Sequence, residues 1–509
     1  MFRLCVLLLF SLSVYAEKKQ PNIIVFLVDD MGWQDTSVPF WKEKTPFNKI
    51  YETPAMEKLA SEGMKFTDAY AHAVCSPTRV SLMTGLNPAR HRVTDWTLNF
   101  LAKDKKPRSR GKKSKLDIPV WNANGIAVDA DQPHSIYAKC LPEYLREVGY
   151  KTIHAGKAHF AAIGTPAANP ENIGFDINIA GHAAGAQGSY LGKRKFAKNP
   201  DKPGSSVWDV PGLEEYHGKD IFLTEALTLE ANKAISTAVK EKKPFFLYMA
   251  HYALHTPFAP DERFIEKYRK KGLPEKEAMY AAIIEGMDKS LGDIMTKVKE
   301  LGQEEDTVVM FMSDNGGLSA HARNGSRHTH NKPLSSGKGS NREGGIRVPM
   351  LVKWPGVTKP NSISSDYILV EDFFTSVLEI AGVQNPQQIG GIIDGKSFIP
   401  QLKGESGLSK NRPLLFHYPN HWGPSGPGIN FCSALRINKW KLIFYHESDR
   451  KGGQFELFNL ETDIGETNNL AQSYPEKVKE LTKIMKDKFQ EYDAQLPIVK
   501  ATGEEIEIP

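Results

Sequence analysis

Three short apolar runs, each followed at once by polar residues, constrain most strongly what this chain folds into. Residues 22–28, 244–250 and 307–312 are continuous runs of β-branched, aromatic and other apolar side chains. Such runs are typical of strands buried on both faces of a parallel sheet. The polar residues that follow them are Asp29 and Asp30, His251, and Ser313, Asp314 and Asn315. Because ligands of open α/β sheets bind outside the carboxyl ends of the strands, we expect these segments to converge on one site.

The remaining pattern predicts an α/β fold with a smaller second domain. Apolar residues between 280 and 298 recur every three or four positions, as on one face of a buried helix. After residue 400, alternating strand signals at 435–437 and 440–445 precede an amphipathic helix near the C-terminus. We predict a large, mostly parallel sheet flanked by helices in residues 17–400, and a smaller α+β domain with an antiparallel sheet in residues 401–509.

The N-terminus is typical of a cleaved signal peptide at residues 1–16. Arg3 precedes an apolar run from 4 to 14, and Ala16 stands before the polar residues 17–19. We therefore expect an exported protein, periplasmic or secreted. No later apolar run approaches the roughly 20 residues of a membrane helix, so no membrane insertion is expected.

Charge and cysteine content narrow the possible partners and crosslinks. The net charge of +5 over 509 residues gives no reason to expect a nucleic-acid partner. After signal cleavage, Cys75, Cys140 and Cys432 remain. Three cysteines cannot all pair within one chain, so at least one has another state. Pairing between Cys140 and Cys432 stays open, as does the oligomeric state.

The polar residues at two strand ends suggest a metal site. Asp29, Asp30, Asp314 and Asn315 are hard oxygen ligands without accompanying cysteine clusters, which favours Ca²⁺ or Mg²⁺ over zinc. Adjacent carboxylates also cap helices and occupy turns, so these pairs alone are modest evidence.

Two longer motifs carry a family resemblance. Residues 75–79 read Cys-Ser-Pro-Thr-Arg, with Thr-Gly at 84–85, and residues 149–159 read Gly-Tyr-Lys-Thr-Ile-His-Ala-Gly-Lys-Ala-His. In this order they resemble the C-x-P-x-R and G-Y-x-T-x-x-x-G-K-x-H elements of type I sulfatases of the alkaline phosphatase-like superfamily. Further matching segments are His255-Thr256-Pro257, 313–316, Gly337-Lys338-Gly339 and 343–349. Thr78 departs from the Ser found in many relatives, and we expect this change to be tolerated.

The resemblance implies a mechanism and a cofactor set. It implies that a maturation enzyme converts Cys75 to formylglycine, and that one hydroxyl of the hydrated aldehyde attacks sulfur. The implied cation is Ca²⁺, with Mg²⁺ as a second possibility, and its implied ligands are Asp29, Asp30, Cys75, Asp314 and Asn315. Arg79 and His159 would orient and deprotonate the hydrate, Lys157 and Lys338 would bind sulfate oxygens, and His255 would protonate the leaving oxygen.

The substrate is predicted less directly. Similarity to bacterial polysaccharide sulfatases favours a sulfated glycan, with the C-terminal domain completing the pocket. Aromatic rings stack on sugars, and basic groups pair with further sulfates or carboxylates. On this basis the candidate substrate-binding residues are His72, Arg90, His91, Trp96, His182, Arg342, His417, His421 and Trp422. The pair His421 and Trp422 is the first choice among them, because leaving two rings exposed in a loop is unfavourable unless they bind a ligand.

Two other functions remain possible at this point. A phosphate or phosphonate ester hydrolase of the same superfamily shares metal ligands and anion-binding residues, but Cys75 and the lack of a second Asp and His cluster argue against it. A non-catalytic glycan-binding protein of this fold would be expected to lose residues such as Arg79, Lys157 or His255, yet all are present. The sequence names neither the sugar nor the sulfated position, nor whether action is at chain ends.

Overall fold

The computed structural model describes residues 20–107, 114–320, 323, 325–384 and 391–509. The predicted signal peptide at residues 1–16 lies outside the described residues. The strands are β1 (Asn22–Val28), β2 (Met64–Tyr70), β3 (Leu116–Asp117), β4 (Ile126–Ala127), β5 (Ile136–Tyr137), β6 (Lys151–Gly156), β7 (Ile177–Ile179), β8 (Phe245–Ala250), β9 (Thr307–Ser313), β10 (Arg347–Lys353), β11 (Ser362–Ser364), β12 (Ile368–Leu369), β13 (Leu414–Tyr418), β14 (Cys432–Ile437), β15 (Trp440–Tyr445), β16 (Phe455–Asn459) and β17 (Ile498–Val499).

The helices connect these strands on both sides of the larger sheet. The α-helices are α1 (Pro54–Glu62), α2 (Cys75–Thr84), α3 (Pro88–His91), α4 (Leu141–Glu147), α5 (Leu223–Lys240), α6 (Ile265–Lys270), α7 (Glu275–Glu300), α8 (Glu343–Ile346), α9 (Asp372–Ile380), α10 (Ile399–Leu402) and α11 (Pro475–Tyr492). Short 3-10 helices lie at Phe47–Lys49, Pro166–Ala168, Pro170–Ile173, Gly192–Arg194, Glu214–Tyr216 and Glu304–Asp306.

The larger sheet is mostly parallel, as the sequence predicted. Its strand order is β11-β2-β10-β9-β1-β8-β6-β7, with β12 also paired to β2. β10 runs antiparallel to both its neighbours, whereas the pairs around β1, β8 and β6 are parallel. The three predicted apolar strands are β1, β8 and β9, and they lie side by side in the order β9-β1-β8.

Both faces of this sheet are buried, which explains the continuous apolar runs. In β1, Ile24 and Phe26 face one core, whereas Val25 and Leu27 face the other, and all four side chains are inaccessible to solvent. The predicted helix is α7, and its apolar stripe packs into the first of these cores. Successive side chains of a strand point to opposite faces of the sheet. A strand that lies between two helical layers therefore needs apolar side chains on both faces.

The C-terminal sheet is antiparallel, which confirms the second predicted sheet. Its order is β13-β14-β15-β16. One face packs against Tyr70, Val74 and Ile346 from the larger part of the chain, and α11 covers the other face through residues such as Leu481 and Phe489. β17 returns to pair with β3. The division near residue 400 stays a prediction.

Three cysteines of the described chain are buried free thiols, namely Cys75, Cys140 and Cys432. Cys140 and Cys432 therefore do not pair with each other. Within the described ranges, no helix combines the length and apolarity needed to cross a membrane.

Candidate active site

Four neighbouring parallel strands bring the predicted catalytic residues to one edge of the larger sheet. β9, β1, β8 and β6 are adjacent, and their carboxyl ends lie at the same edge. The predicted residues that follow these strands are Asp314 and Asn315, Asp29 and Asp30, His255, and Lys157 and His159. The expected convergence of distant segments is therefore present in the fold.

Cys75 is the first residue of α2, at the end of the loop that follows β2. Every residue of α2 is buried, and Gly85 ends the helix with a left-handed backbone, φ 71°, which favours glycine. Cys75 Sγ lies 3.6 Å from Asp29 Oδ1. Burial raises the pKa of the Cys75 thiol to about 12, even though the nearby Lys157 and Lys338 charges oppose this rise.

A buried cluster of carboxylates surrounds Cys75. One ligand atom from each of Asp29, Asp30, Cys75 and Asp314 lies within 4.8 Å of the others. Asn315 Nδ2 donates a hydrogen bond to Asp30 Oδ1 at 2.8 Å. Asp30 Oδ2 and Asn315 Oδ1 are buried and have no hydrogen-bond partner among the described residues. Buried oxygens left without donors are costly, and the donor set fits a divalent cation that prefers oxygen ligands.

Each carboxylate of this cluster also faces a buried cation. Lys157 Nζ lies 2.6 Å from Asp29 Oδ2, and Lys338 Nζ lies 2.6 Å from Asp30 Oδ1. Burial favours the neutral carboxyl of Asp30, but the Lys338 and Lys157 charges and the hydrogen bond from Asn315 outweigh it and lower the pKa of Asp30. Burial and the Asp314 charge instead raise the pKa of Asp29.

Arg79 is anchored rather than free to move. It lies one turn after Cys75 on α2, and its Nε donates to Asp314 Oδ2 at 2.9 Å. Its Nη1 donates to the carbonyl oxygen of Lys157 at 2.7 Å. These contacts tie α2 to the ends of β9 and β6.

The two histidines present defined ring nitrogens. His159 Nε2 lies 2.8 Å from the Thr97 carbonyl, and His255 Nδ1 lies 2.6 Å from the Thr256 carbonyl. Burial lowers the pKa of both, that of His255 to about 3, so both imidazoles are neutral. A carbonyl accepts only from an N–H, so the lone pairs are on His159 Nδ1 and His255 Nε2. His159 Nδ1 is buried without a hydrogen-bond partner among the described residues, and His255 Nε2 lies 3.9 Å from Asp30 Oδ2.

A pocket of about 390 Å³ opens over these groups. Cys75, His159, His255 and Lys338 line it together with the indole rings of three tryptophans, Trp96, Trp208 and Trp422. Trp96 and Trp422 were predicted from the sequence as substrate-binding residues, whereas Trp208 was not. A single tryptophan within the polar segment 199–212, which also contains three prolines and two glycines, was the signal that could have identified it.

The other predicted substrate-binding residues lie outside the described lining of this pocket, and each has a protein neighbour. The contacts are His72 with Glu371, Arg90 with Asp394, His91 with Ser81, His182 with Tyr252, Arg342 with Glu456, His417 with Ser433 and His421 with Phe431. Arg90, for example, donates to both oxygens of Asp394, a geometry that neutralises its charge within the protein.

Family profiles place this geometry in a known class. The profile of the family described as Sulfatase matches residues 21–383. The profile described as N-sulphoglucosamine sulphohydrolase, C-terminal, matches residues 338–495. The chain therefore belongs to the sulfatase family. It is a type I sulfatase of the alkaline phosphatase-like superfamily, a sulfuric ester hydrolase, as the motifs predicted.

Individual relatives cover most of the chain. A sulfatase from Formosa agariphila is 30% identical over 503 residues, which covers 90% of this chain and 85% of the relative. The N-acetylgalactosamine-6-sulfatase of Homo sapiens is 28% identical over 510 residues, covering 94% of this chain and 86% of that protein. The crystal structure of Ps i-CgsB in complex with k-i-k-neocarrahexaose has a TM-score of 0.70 and 26% identity, and covers 96% of this chain and 95% of that one.

Proposed function

We propose that this sulfatase removes sulfate from a sulfated carbohydrate, with formylglycine at position 75 and a bound Ca²⁺. The observation that carries this proposal is the composition of the pocket. Its lining combines Cys75, Lys338 and His255, which suit an anionic ester, with the rings of Trp96, Trp208 and Trp422. Indole faces pack well against the C–H faces of sugar rings.

The pocket size and the relatives support the same substrate class. A volume of about 390 Å³ lies at the lower end of the range for small-molecule sites, which fits one sulfated sugar unit. The human relative is named for a sulfated amino sugar, and Ps i-CgsB was solved with an oligosaccharide.

Asp29, Asp30, Asp314, Asn315 and residue 75 would hold the cation. The set offers carboxylate and amide oxygens, the ligands that Ca²⁺ prefers, and Mg²⁺ suits the same chemistry. When bound, the cation would supply positive charge that polarises the sulfate and lowers the pKa of a hydroxyl beside it. Asp30 Oδ2 and Asn315 Oδ1, which the fold leaves without hydrogen-bond donors among the described residues, are the oxygens most available to it.

Residue 75 would act as the nucleophile. As a hydrated aldehyde it supplies an attacking hydroxyl and a second hydroxyl that allows sulfate to be expelled, which a serine or cysteine ester would not allow. Arg79, fixed by Asp314 and the Lys157 carbonyl, orients residue 75 from one turn further along α2. His159 is suited to accept the hydroxyl proton, because its Nδ1 carries a buried lone pair with no partner among the described residues.

Lys157, Lys338 and His255 would act on the substrate. The two ammonium groups are held by Asp29 and Asp30 and would bind sulfate oxygens. His255 would protonate the leaving oxygen from Nε2. In the free protein the Lys338 charge helps burial to lower the pKa of His255, and the negative charge of a bound sulfate ester would oppose that effect and raise it.

The proposal includes a maturation enzyme that forms formylglycine, and a periplasmic or secreted location. Both follow from the family resemblance and the predicted signal peptide. A two-metal phosphatase is a weaker alternative, because the group of described residues that fits a metal is the single cluster around Asp29 and Cys75.

The test is sulfate release from a panel of sulfated monosaccharides and oligosaccharides. The protein should be co-produced with a maturation enzyme, conversion of Cys75 should be verified by peptide mass, and Cys75→Ser serves as the matched control. We expect release from at least one sugar and none from the control. Release from a generic aryl sulfate but from no sugar, at full conversion, would contradict the carbohydrate assignment while leaving the sulfatase activity intact.

A further inference from the structure

A second charged cavity lies where the larger sheet meets the C-terminal sheet. Its volume is about 410 Å³. Its lining includes Asp68 on β2, Arg347 on β10, Arg436 on β14, and Lys410 and Tyr367 from the connecting segments. The mechanism proposed above uses none of these residues.

The lining of this cavity holds four cations, Arg347, Arg436, Lys410 and Lys439, and two carboxylates, Asp68 and Glu461. Arg347 Nη2 and Arg436 Nη2 share one oxygen, Asp68 Oδ1, at 3.0 and 3.6 Å. Outside the lining, Glu343 Oε2 contacts Arg347 at 3.3 Å, and Glu343 Oε1 contacts Lys441 at 2.8 Å, a lysine that Glu466 also contacts at 3.0 Å. The lining itself therefore carries more positive than negative charge.

Arg436 and Lys410 are the least satisfied of these groups. Arg436 is 4% exposed, its Nε donates to the Tyr70 hydroxyl at 2.9 Å, and its Nη1 is buried with no hydrogen-bond partner among the described residues. Lys410 Nζ lies 4.4 Å from the centre of the Tyr367 ring, and the Arg436 guanidinium lies 4.8 Å from the same ring. Burial lowers the pKa of Lys410, and the Arg436 and Arg347 charges act in the same direction, against Asp68 and Asp366.

We propose that this cavity binds a small tetrahedral oxyanion, namely sulfate or phosphate, free or as an ester group, through Arg347, Arg436 and Lys410. Two guanidinium groups present N–H donors in a fixed plane that suits oxyanions, and Lys410 adds a point charge. The site is separate from the catalytic pocket, and the proposal does not depend on the carbohydrate assignment. A bound anion would link β10 to β14 and thereby stabilise the junction of the two sheets.

The experiment is calorimetric titration of sodium sulfate into the Cys75→Ser protein at ionic strength held constant with chloride. We expect two binding events. Lys410→Met should weaken one about tenfold, the loss expected for a charge-assisted contact, and Lys338→Met in the catalytic pocket should weaken the other. Lys270→Met, which removes an exposed lysine on α6, is the matched control and should change neither.

Further arms identify the ligand and guard against a misfolded variant. Arg436→Lys keeps the positive charge but removes the planar N–H donors, so it should also weaken the sulfate-binding event that Lys410→Met weakens. Circular dichroism and the melting temperature report whether each variant is folded. A sulfated oligosaccharide that competes at this event identifies an ester group as ligand, and competition by inorganic phosphate alone identifies a free anion. A Lys410→Met titration identical to that of the parent, or selenate anomalous density confined to the catalytic pocket of crystals, would overturn the proposal.

Discussion

The indole ring of Trp422 packs directly against Gly339, so closely that a Cβ atom on Gly339 would lie 2.1 Å from ring atom Cε3. Gly339 also has a left-handed backbone, φ 85°. Because Gly339 follows Lys338, this contact places the Trp422 ring beside Lys338, a lysine proposed to bind sulfate. The position of the Trp422 ring and the position of Lys338 in the pocket therefore depend on each other.

Gly339→Ala should disturb both stability and activity through this contact. The added methyl cannot fit without moving the ring, so we expect a loss of about 1–3 kcal/mol and a clear fall in kcat/KM for sulfate release. Gly356→Ala is the matched control, because Gly356 has a similar φ of 74° but no atom within 4 Å of the position that the new methyl would take. Urea unfolding and kinetics measure the difference, and equal effects of the two variants would show that the ring contact is unimportant.

Trp208 should contribute to binding of the sugar. Trp208→Leu removes a stacking face worth about 0.5–1.5 kcal/mol, so we expect KM for the identified sulfated sugar to rise roughly three- to tenfold with kcat little changed. Trp208→Phe retains an aromatic face and should lie nearer the parent enzyme. An unchanged KM in Trp208→Leu would remove this residue from the proposed site.

Calcium should stabilise the protein through the buried carboxylates. At about 100-fold excess over Kd, a ligand bound only by the folded state adds about 2.7 kcal/mol, so the melting temperature after chelation should rise when Ca²⁺ is restored. Asp30→Asn should lose most of this increment, whereas Asp117→Asn, at an exposed position on β3, should keep it. The same increment in both variants would place the cation elsewhere.

Unconverted Cys75 should be nearly inert as a thiol. With a pKa of about 12, its thiolate fraction at pH 8 is small, so alkylation by iodoacetamide in the presence of EDTA should be more than about a thousandfold slower than for an exposed cysteine. The sample is protein made without the maturation enzyme, and the peptide carrying Cys75 is followed by mass. Urea-unfolded protein should react quickly, and rapid labelling of the folded protein would contradict the buried environment.

His417 should make the protein less stable in acid. Burial lowers the pKa of His417 to about 4, whereas in the unfolded chain it has its ordinary value near 6.5. The unfolded chain therefore binds the proton more tightly, and stability is lost as the pH falls from about 6.5 towards 4. This histidine alone should cost about 2 kcal/mol between pH 7.5 and pH 5. His417→Gln should flatten the pH dependence of the free energy of unfolding, measured by urea denaturation, and an unchanged pH dependence would contradict this role.

Local sequence patterns were sufficient to predict the strands and the segments that meet at their carboxyl ends. The apolar runs became β1, β8 and β9 because continuous apolar segments of this length are stable only when both faces are covered. The segments that follow β1, β8 and β9 were predicted to meet because strand ends of a parallel sheet share one edge, and the fold places them side by side. The motifs around Cys75 and Lys157 were assigned to the same site by the family resemblance. Their chemical roles remain part of the proposal.

Surface and pocket residues were predicted far less well, because burial depends on contacts between segments distant in the chain. His417 and Trp422 lie close together in sequence, yet β13 and α11 bury His417, whereas Trp422 reaches the pocket. Trp208 belongs to no motif, and only the folded chain shows that it lines the pocket. The sequence by itself determined the α/β fold, the reaction class and the residues at the strand ends, since periodicity and motif spacing are local properties. Only the tertiary structure decided which rings line the pocket and which cations gather at the junction of the two sheets, since packing alone brings those groups together.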